Sequence, residues 1–361
     1  MTTPTTDISH RARARLREAV REGKRLGVQI YVSLGGEPLW HEAFGQYRPG
    51  EPLTNAHLMP WACAGKLLTV LALARLHDRG ELSTTTRIAD VLPEFGAGGK
   101  HDVTVEHLLT HTIVFTNQPD PRQYRRAEAL GPVCRWPIAA PPGQRARYNL
   151  YASWLVLSEV IQRVTGRDYH ELLREEVMAP LGMDTSAFLW NGRLDRGGAT
   201  AAALRVMFSR DGDDGPQPID GFPDVAITDG WPGSETWGPA SELARPLECL
   251  VAGGVWQGRR LVSPEAIQHF CTPVREGIAD EFFQGLDVSW GRGSVTDPAW
   301  FGAPGGARVT GHTGFLMALA VGDLDRRLVV VYLTNTVVFD EPMLRSLGHL
   351  AVRDIYQAVA A

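Results

Sequence analysis

Val28, Ile30, Val32 and Leu34 alternate with polar partners. That period of two is the mark of a strand with one buried face. Gly35-Gly36-Glu37-Pro38 then turns the chain into a second run, 39–44, and the pair predicts an antiparallel hairpin. A helix is expected before them, with Ile8, Leu16 and Val20 as a thin apolar stripe, Asp7 or Ser9 as its cap and Gly27 beyond its end. Leu67, Leu68, Val70, Leu71, Leu73 and Leu76 then recur at helical spacing, and this helix stops near Gly80.

Residues 82–95 read as a connection, and 103–112 as a helix capped by Thr104. The stretch 119–142 is rich in Pro and Arg and is expected to be irregular. Helices follow at 150–164, ending at Gly166, and at 169–177. The stretch 193–239 is rich in Gly, Asp and Pro, and so long an irregular segment points to function or mobility. Helices at 241–252 and 263–270 precede two apolar strands, 316–322 and 328–333, joined by Asp323-Leu324-Asp325-Arg326. A helix over 342–359 closes the pattern. With strands at both ends and helices between, the chain reads as α+β: an antiparallel sheet formed by both termini, flanked by helices. The expected division is a sheet domain of residues 1–58 and 280–361 and an inserted, mainly helical domain of residues 59–279, with the active site at their interface. No internal repeat is visible.

Composition narrows the function. The 361 residues are 44% hydrophobic and 21% charged, an ordinary globular mixture. A net charge of −5 provides no polybasic footprint, which argues against nucleic acid and membrane as partners. Residues 1–9 are polar and hold no apolar signal core, and no run reaches the length of a membrane span. Cys63, Cys134, Cys249 and Cys271 show neither C-x-x-C spacing nor a disulfide rhythm. A cytoplasmic protein with reduced thiols is expected.

Candidate chemistry centres on one of those thiols. Cys63 stands where the helix after Pro60 begins, and Lys66 follows three residues on, sharing its helix face. A helix N-terminus and an adjacent ammonium both favour a thiolate, so a nucleophile and its base or counter-charge sit in one short motif. The blander account is a buried apolar cysteine beside a solvated lysine. Lys24, Lys66 and Lys100 are the only lysines, which makes Lys66 less ordinary. Gly96-Ala97-Gly98-Gly99-Lys100 lacks two residues of a phosphate loop: Glu94 replaces the first Gly and His101 the Ser or Thr. The histidines show no metal-ligand spacing, no cofactor is implied, and His111 reads as structural. Trp231 and Trp237 either line an acyl pocket or pack in the core.

Three stretches in order carry a resemblance: Cys63-Ala64-Gly65-Lys66, Tyr148-Asn149-Leu150 and His312-Thr313-Gly314. They resemble the S-x-x-K, Y-x-N and K/H-T/S-G motifs of the serine β-lactamase and DD-peptidase superfamily. The nearest group is similar to class C β-lactamases, family VIII esterases and related acyltransferases. Leu108-Leu109-Thr110-His111-Thr112, Pro180-Leu181-Gly182-Met183 and Ser263-Pro264 match further segments of that family. The resemblance implies a β-lactamase/transpeptidase-like fold. It places Cys63 at the nucleophile, Lys66 as proton acceptor or counter-charge and Tyr148 as proton relay. It assigns the backbone N–H groups of Cys63 and Phe315 to the oxyanion hole, and His312, Thr313 and Gly314 to the substrate's border.

Two departures matter. The nucleophile is Cys rather than Ser, and Leu150 stands where the motif has an asparagine. Cysteine makes a thioester, which amines attack in preference to water, and Leu150 makes the site more apolar. Four readings follow, in this order: an acyltransferase passing an acyl group from a small-molecule donor to an amine or alcohol; a cysteine hydrolase of esters or amides; a catalytically silent binding protein; and an engineered Ser→Cys serine enzyme. Donor, acceptor and oligomeric state stay open.

Overall fold

A computed structural model describes residues 10–117, 119–190, 193–196, 208–209, 217–218 and 230–359. Its frame is a six-stranded antiparallel sheet. The strands are β1 (Gly27–Leu34), β2 (Glu37–Arg48), β3 (Glu51–Pro52), β4 (Val309–Gly314), β5 (Ala318–Asp323) and β6 (Leu328–Thr334). Their order is β4-β5-β6-β1-β2-β3, so the first strand lies against the last. The register pairs Val28 with Thr334 and Leu34 with Leu328.

The helices are α1 (His10–Arg21), α2 (Lys66–Asp78), α3 (Val105–Leu109), α4 (Arg126–Arg135), α5 (Ala152–Thr165), α6 (Tyr169–Leu173), α7 (Ala240–Val251), α8 (Pro264–Cys271) and α9 (Leu347–Val359). Val28, Ile30 and Val32 face Leu16, Ala351 and Ile355 of α1 and α9. Tyr31, Val329, Val331 and Leu333 face the other way, into the cluster that holds Leu243 and Leu247 of α7. β1 is therefore buried on both faces, where its alternation predicts one. Its Gln29 is compensated rather than solvated. Gln29 Nε2 donates to the carbonyls of Thr54 and His57 at 2.8 and 2.9 Å, and its Oε1 accepts from the Ala240 N–H at 3.0 Å. On β2, Trp40 and Phe44 face the cluster of α1 and α9, whereas Tyr47, past an irregularity at 46–48, joins the other cluster. The proposed caps of α1, Asp7 and Ser9, and its apolar Ile8, lie outside the described residues.

Two further expectations change. Residues 311–314 do not precede the first C-terminal strand; they form most of β4, the sheet edge. Gly, His and Thr hide the strand from a hydrophobic count, yet Gly311 is required there. A Cβ on it would stand 2.2 Å from the Ala320 carbonyl oxygen. Within 119–142, α4 is a ten-residue helix with Pro132 inside it and Ala129, Val133 and Cys134 on its buried face. A proline in the interior removes a helical donor, which is why this stretch reads as irregular.

α2 is buried on nearly every side, from Lys66 through Ala74 and again at Leu76. A helix apolar all round belongs inside a core. It starts from a 3-10 turn, Ala62–Gly65, set beneath the end of β4.

Candidate active site

The turn carrying Cys63 is tied down on both sides. The Trp61 N–H donates to the Thr236 carbonyl (3.1 Å), and Trp61 Nε1 to the Gly238 carbonyl (2.9 Å). Ala62 then adopts φ +44°, a left-handed value costly for a residue with a Cβ. Across from it, β4 ends in Gly314, whose Cβ would lie 2.3 Å from the Trp61 carbonyl oxygen and 3.1 Å from the Cys63 nitrogen. Only glycine permits that approach. Phe315 and Leu316 follow at φ +36° and +58°. Strained backbone thus flanks Cys63 and the Phe315 amide alike, and such strain clusters at sites that need a fixed geometry.

Lys66 is fully buried at the start of α2. Its Nζ donates to the Gly233 carbonyl at 3.1 Å and lies 5.2 Å from the Trp154 ring and 5.9 Å from the Tyr148 ring. No carboxylate forms an ion pair with it among the described residues. Gly233, at φ +79°, is required for this contact, since a Cβ there would meet Lys66 Cγ at 2.8 Å.

Tyr148 is buried among rings: His111 at 4.6 Å, Phe283 at 5.3 Å, Phe282 at 5.5 Å and Trp290 stacked at 5.6 Å. Its hydroxyl has no oxygen or nitrogen partner among the described residues; the Cys63 thiol is its neighbour. Burial, and then that neighbour, hold the phenol well above its ordinary value, so it is present as a proton donor.

His312 is buried on β4 with its Nδ1 2.6 Å from the Thr313 carbonyl oxygen. A carbonyl only accepts, so Nδ1 carries the hydrogen and Nε2 the lone pair. Burial and the Lys66 charge push the imidazole down to about 3, so it is neutral. His111, also neutral through burial, accepts the Asn149 N–H on Nδ1 at 3.2 Å and packs against Tyr148. Asn149 Oδ1 accepts the Ser153 N–H at 3.1 Å and so tethers the start of α5. It is not free to replace the missing amide. Leu150, half-buried, packs on the cluster that contains Cys63 and Tyr148.

Cys63, Lys66, Tyr148, Leu150 and the 312–315 segment thus surround one point. The two tryptophans are both buried in the core cluster that holds α2. Trp231 meets the Tyr151 ring edge-on at 5.9 Å. Trp237 lies on a short strand beside Pro60 and Ala187. Three exposed aromatics mark the approaches: Phe282 against Tyr148, and Phe315 with Phe339 edge-to-face at 6.2 Å.

Sequence reasoning missed the supports. Asp280 and Arg275 form a fully buried pair at 3.0 Å. Asp280 Oδ1 accepts the backbone N–H of Tyr148 (3.0 Å) and of Phe282 (2.9 Å), while Arg275 donates to the carbonyls of Thr110 and Val288. Nothing local marks them as supports of the site, since Tyr148 and Thr110 lie 132 and 165 residues away in sequence. Removing one member of a buried pair strands the other's charge. Asp280→Ala is therefore expected to cost about 3–5 kcal/mol of stability, read from denaturant unfolding. A change under about 1 kcal/mol would show that the pair is dispensable.

The chain belongs to the Beta-lactamase family, whose model matches residues 12–352. Among relatives, it is 26% identical to "Esterase EstB" of Burkholderia gladioli over 374 residues, covering 88% of each chain. A family VIII carboxylesterase shares the fold at a TM-score of 0.79 with 22% identity, covering 99% of this chain and 98% of that one. EstCE1, described as a hydrolase with promiscuous acyltransferase activity, matches at a TM-score of 0.78 with 19% identity, covering 97% of this chain and 98% of that one. Among the described residues no helix is long and apolar enough to cross a membrane.

Proposed function

We propose that the protein transfers an acyl group from a small ester, thioester or amide donor to an amine or alcohol through a thioester on Cys63. The observation that carries this is the convergence of a thiol, a buried ammonium whose hydrogen bond goes to the Gly233 carbonyl, and a phenol whose hydroxyl, among the described residues, has the thiol as its neighbour and no oxygen or nitrogen partner. Cys63 Sγ, deprotonated beside Lys66, attacks the acyl carbonyl carbon. The oxyanion forms against the backbone N–H groups of Cys63 and Phe315. As the donor's bond breaks, its leaving oxygen, sulfur or nitrogen takes the proton of Tyr148. The phenolate, close to the Lys66 ammonium, then takes a proton from the acceptor as the acceptor attacks the thioester. Cys63 leaves as a thiolate and both groups are restored. His312, Thr313 and Gly314 border the substrate, Leu150 and Trp231 give the acyl side an apolar wall, and Trp237 supports it from the core. A reducing, cytoplasmic setting suits the four free thiols.

Hydrolysis, with water as acceptor, is the second reading, and the similarity to an esterase along most of both chains favours it. Both readings require an acyl-enzyme. Intact-mass measurement after incubation with a panel of activated esters and thioesters is expected to show one adduct, mapped to Cys63. Burial pushes Cys134 and Cys271 up to about 11 and Cys249 up to about 12, so they are poor competitors. An adduct that persists in Cys63→Ala would remove Cys63 from the chemistry.

A further inference from the structure

Stacked on Tyr151, the residue after Leu150, stands a cation that the steps above do not use. Asp120 begins the helical turn Pro121–Gln123, and its carboxylate accepts the backbone N–H of Arg122 at 2.9 Å. The same carboxylate takes the Arg122 Nε at 2.9 and 3.0 Å and Nη2 at 2.6 Å. The guanidinium is thereby fixed in the plane of the pair, and its Cζ lies 4.6 Å from the centroid of the Tyr151 ring. Nη1 makes no hydrogen bond among the described residues. Tyr151 follows Leu150, and its ring also meets Trp231. Tyr151 lies three residues after Tyr148, whose hydroxyl neighbours the Cys63 thiol, and both Arg122 and Tyr151 lie within electrostatic reach of Cys63.

An arginine serving only its loop gains little from being stacked on a ring three residues from Tyr148. Asp120 binds one edge of the fork and holds it still, while the other edge keeps donors to spare. A planar guanidinium held this way is a preorganised receptor for a carboxylate. Half of the ion pair is open to water, with the two side chains 20% and 49% exposed, so Asp120 offsets the positive charge only in part.

We propose that Arg122 Nη1 receives a carboxylate carried on the acyl half of the donor, so that the site selects acyl chains ending in an anion over neutral chains of equal length. This rests on Cys63 being the acylated atom. Selection comes from geometry: the tyrosine face and Asp120 fix the guanidinium, and the leucine and tryptophan leave the chain between it and the sulfur without polar competition.

The test compares Arg122→Gln and Arg122→Lys with the parent in two arms. One measures kcat/KM for p-nitrophenyl hemisuccinate against p-nitrophenyl butyrate. The other measures the rate of Cys63 alkylation by iodoacetate against iodoacetamide, a pair that differs in charge and shares a leaving group. Each ratio cancels any general change in Cys63 reactivity. In Arg122→Gln both ratios are expected to fall by about tenfold, the scale of one charge-assisted hydrogen bond partly screened by water, and Arg122→Lys should fall between. If the esters acylate Cys63, their ratio decides: an unmoved value overturns the anion site while the acyl-enzyme stands. If no ester acylates Cys63, the alkylation ratio decides: a fall upholds the anion site while the acyl-transfer reading fails, and an unmoved ratio overturns both. A carboxylate preference that appears only when the charge is moved to the leaving group overturns the placement on the acyl half.

Discussion

Lys66→Ala and Tyr148→Phe should each slow acylation of Cys63 by about 10²–10⁴-fold, the usual contribution of a positioned proton-transfer group. The double variant should lose little more than the worse single one. The reason is that the two act on one charge. In the proposed mechanism Lys66, whose Nζ lies 5.9 Å from the Tyr148 ring, is the counter-charge, and Tyr148 is the proton donor that would become anionic when the leaving group departs. Without the lysine, the phenolate has no nearby counter-charge; without the phenol, the lysine has no phenolate to stabilise. Groups that work as a unit are non-additive. Stability separates chemistry from damage. Among the described residues the Tyr148 hydroxyl has no oxygen or nitrogen partner to lose, so Tyr148→Phe should melt with the parent while its single-turnover acylation rate collapses. Lys66→Ala leaves a hole at the base of a fully buried helix and should also unfold more easily. Losses that simply add would mean that the two residues serve separate steps.

Cys63→Ser carries the second large effect, on the fate of the acyl group rather than on its capture. The serine variant keeps Lys66, Tyr148 and the two backbone donors, but forms an oxygen ester. A thioester is the better electrophile toward amines, whereas an ester discriminates less between amine and water. Leu150, packed beside Cys63 and Tyr148, supplies no hydrogen bond to orient a water. The parent should therefore pass most of the acyl group to an added amine or alcohol, and the serine variant should release a larger share as free acid from the same donor. Product partitioning across a range of acceptors measures this. If both proteins release only free acid with every acceptor, hydrolysis replaces transfer as the natural reaction.

Much of this arrangement is local in sequence and could be read there. The alternation of 28–34, the apolar run of 328–333 and the helical spacing of 67–76 lie where the fold has β1, β6 and α2. Cys63 and Lys66 are legible because one turn joins them. β4 was not, because an edge strand that presses on a neighbouring turn is built from Gly, His and Thr rather than from apolar residues. α4 was masked by Pro132, whose cost is met by packing of Ala129, Val133 and Cys134. Gly233 under Lys66, Asp280 behind Tyr148 and Arg122 against Tyr151 could not be read at all. Each matters only through a partner that tertiary structure brings, from 29 residues away for Arg122 to 167 for Gly233. One-sided burial failed at β1 for a related reason. Gln29 and Ser33 look solvent-facing in the string, but a second layer of helices covers that face and the backbone answers the Gln29 amide.

The seam between the first and last strands has a consequence for synthesis. Val28 emerges from the ribosome some 300 residues before its partner Thr334. Until then β1 has only β2 beside it, and an isolated hairpin is marginal in water. Both of its faces are meant for the interior, so the nascent chain carries an adhesive strand through most of translation. α2, with Cys63 at its head, is likewise made long before the edge strand that supplies Gly314 and the Phe315 amide. Such long-range closure slows folding and exposes intermediates to aggregation. The proposed site is thus incomplete until nearly the whole polypeptide has been made, and a nascent chain halted before β4 holds the Cys63 thiol without the Phe315 amide that the proposed oxyanion site needs.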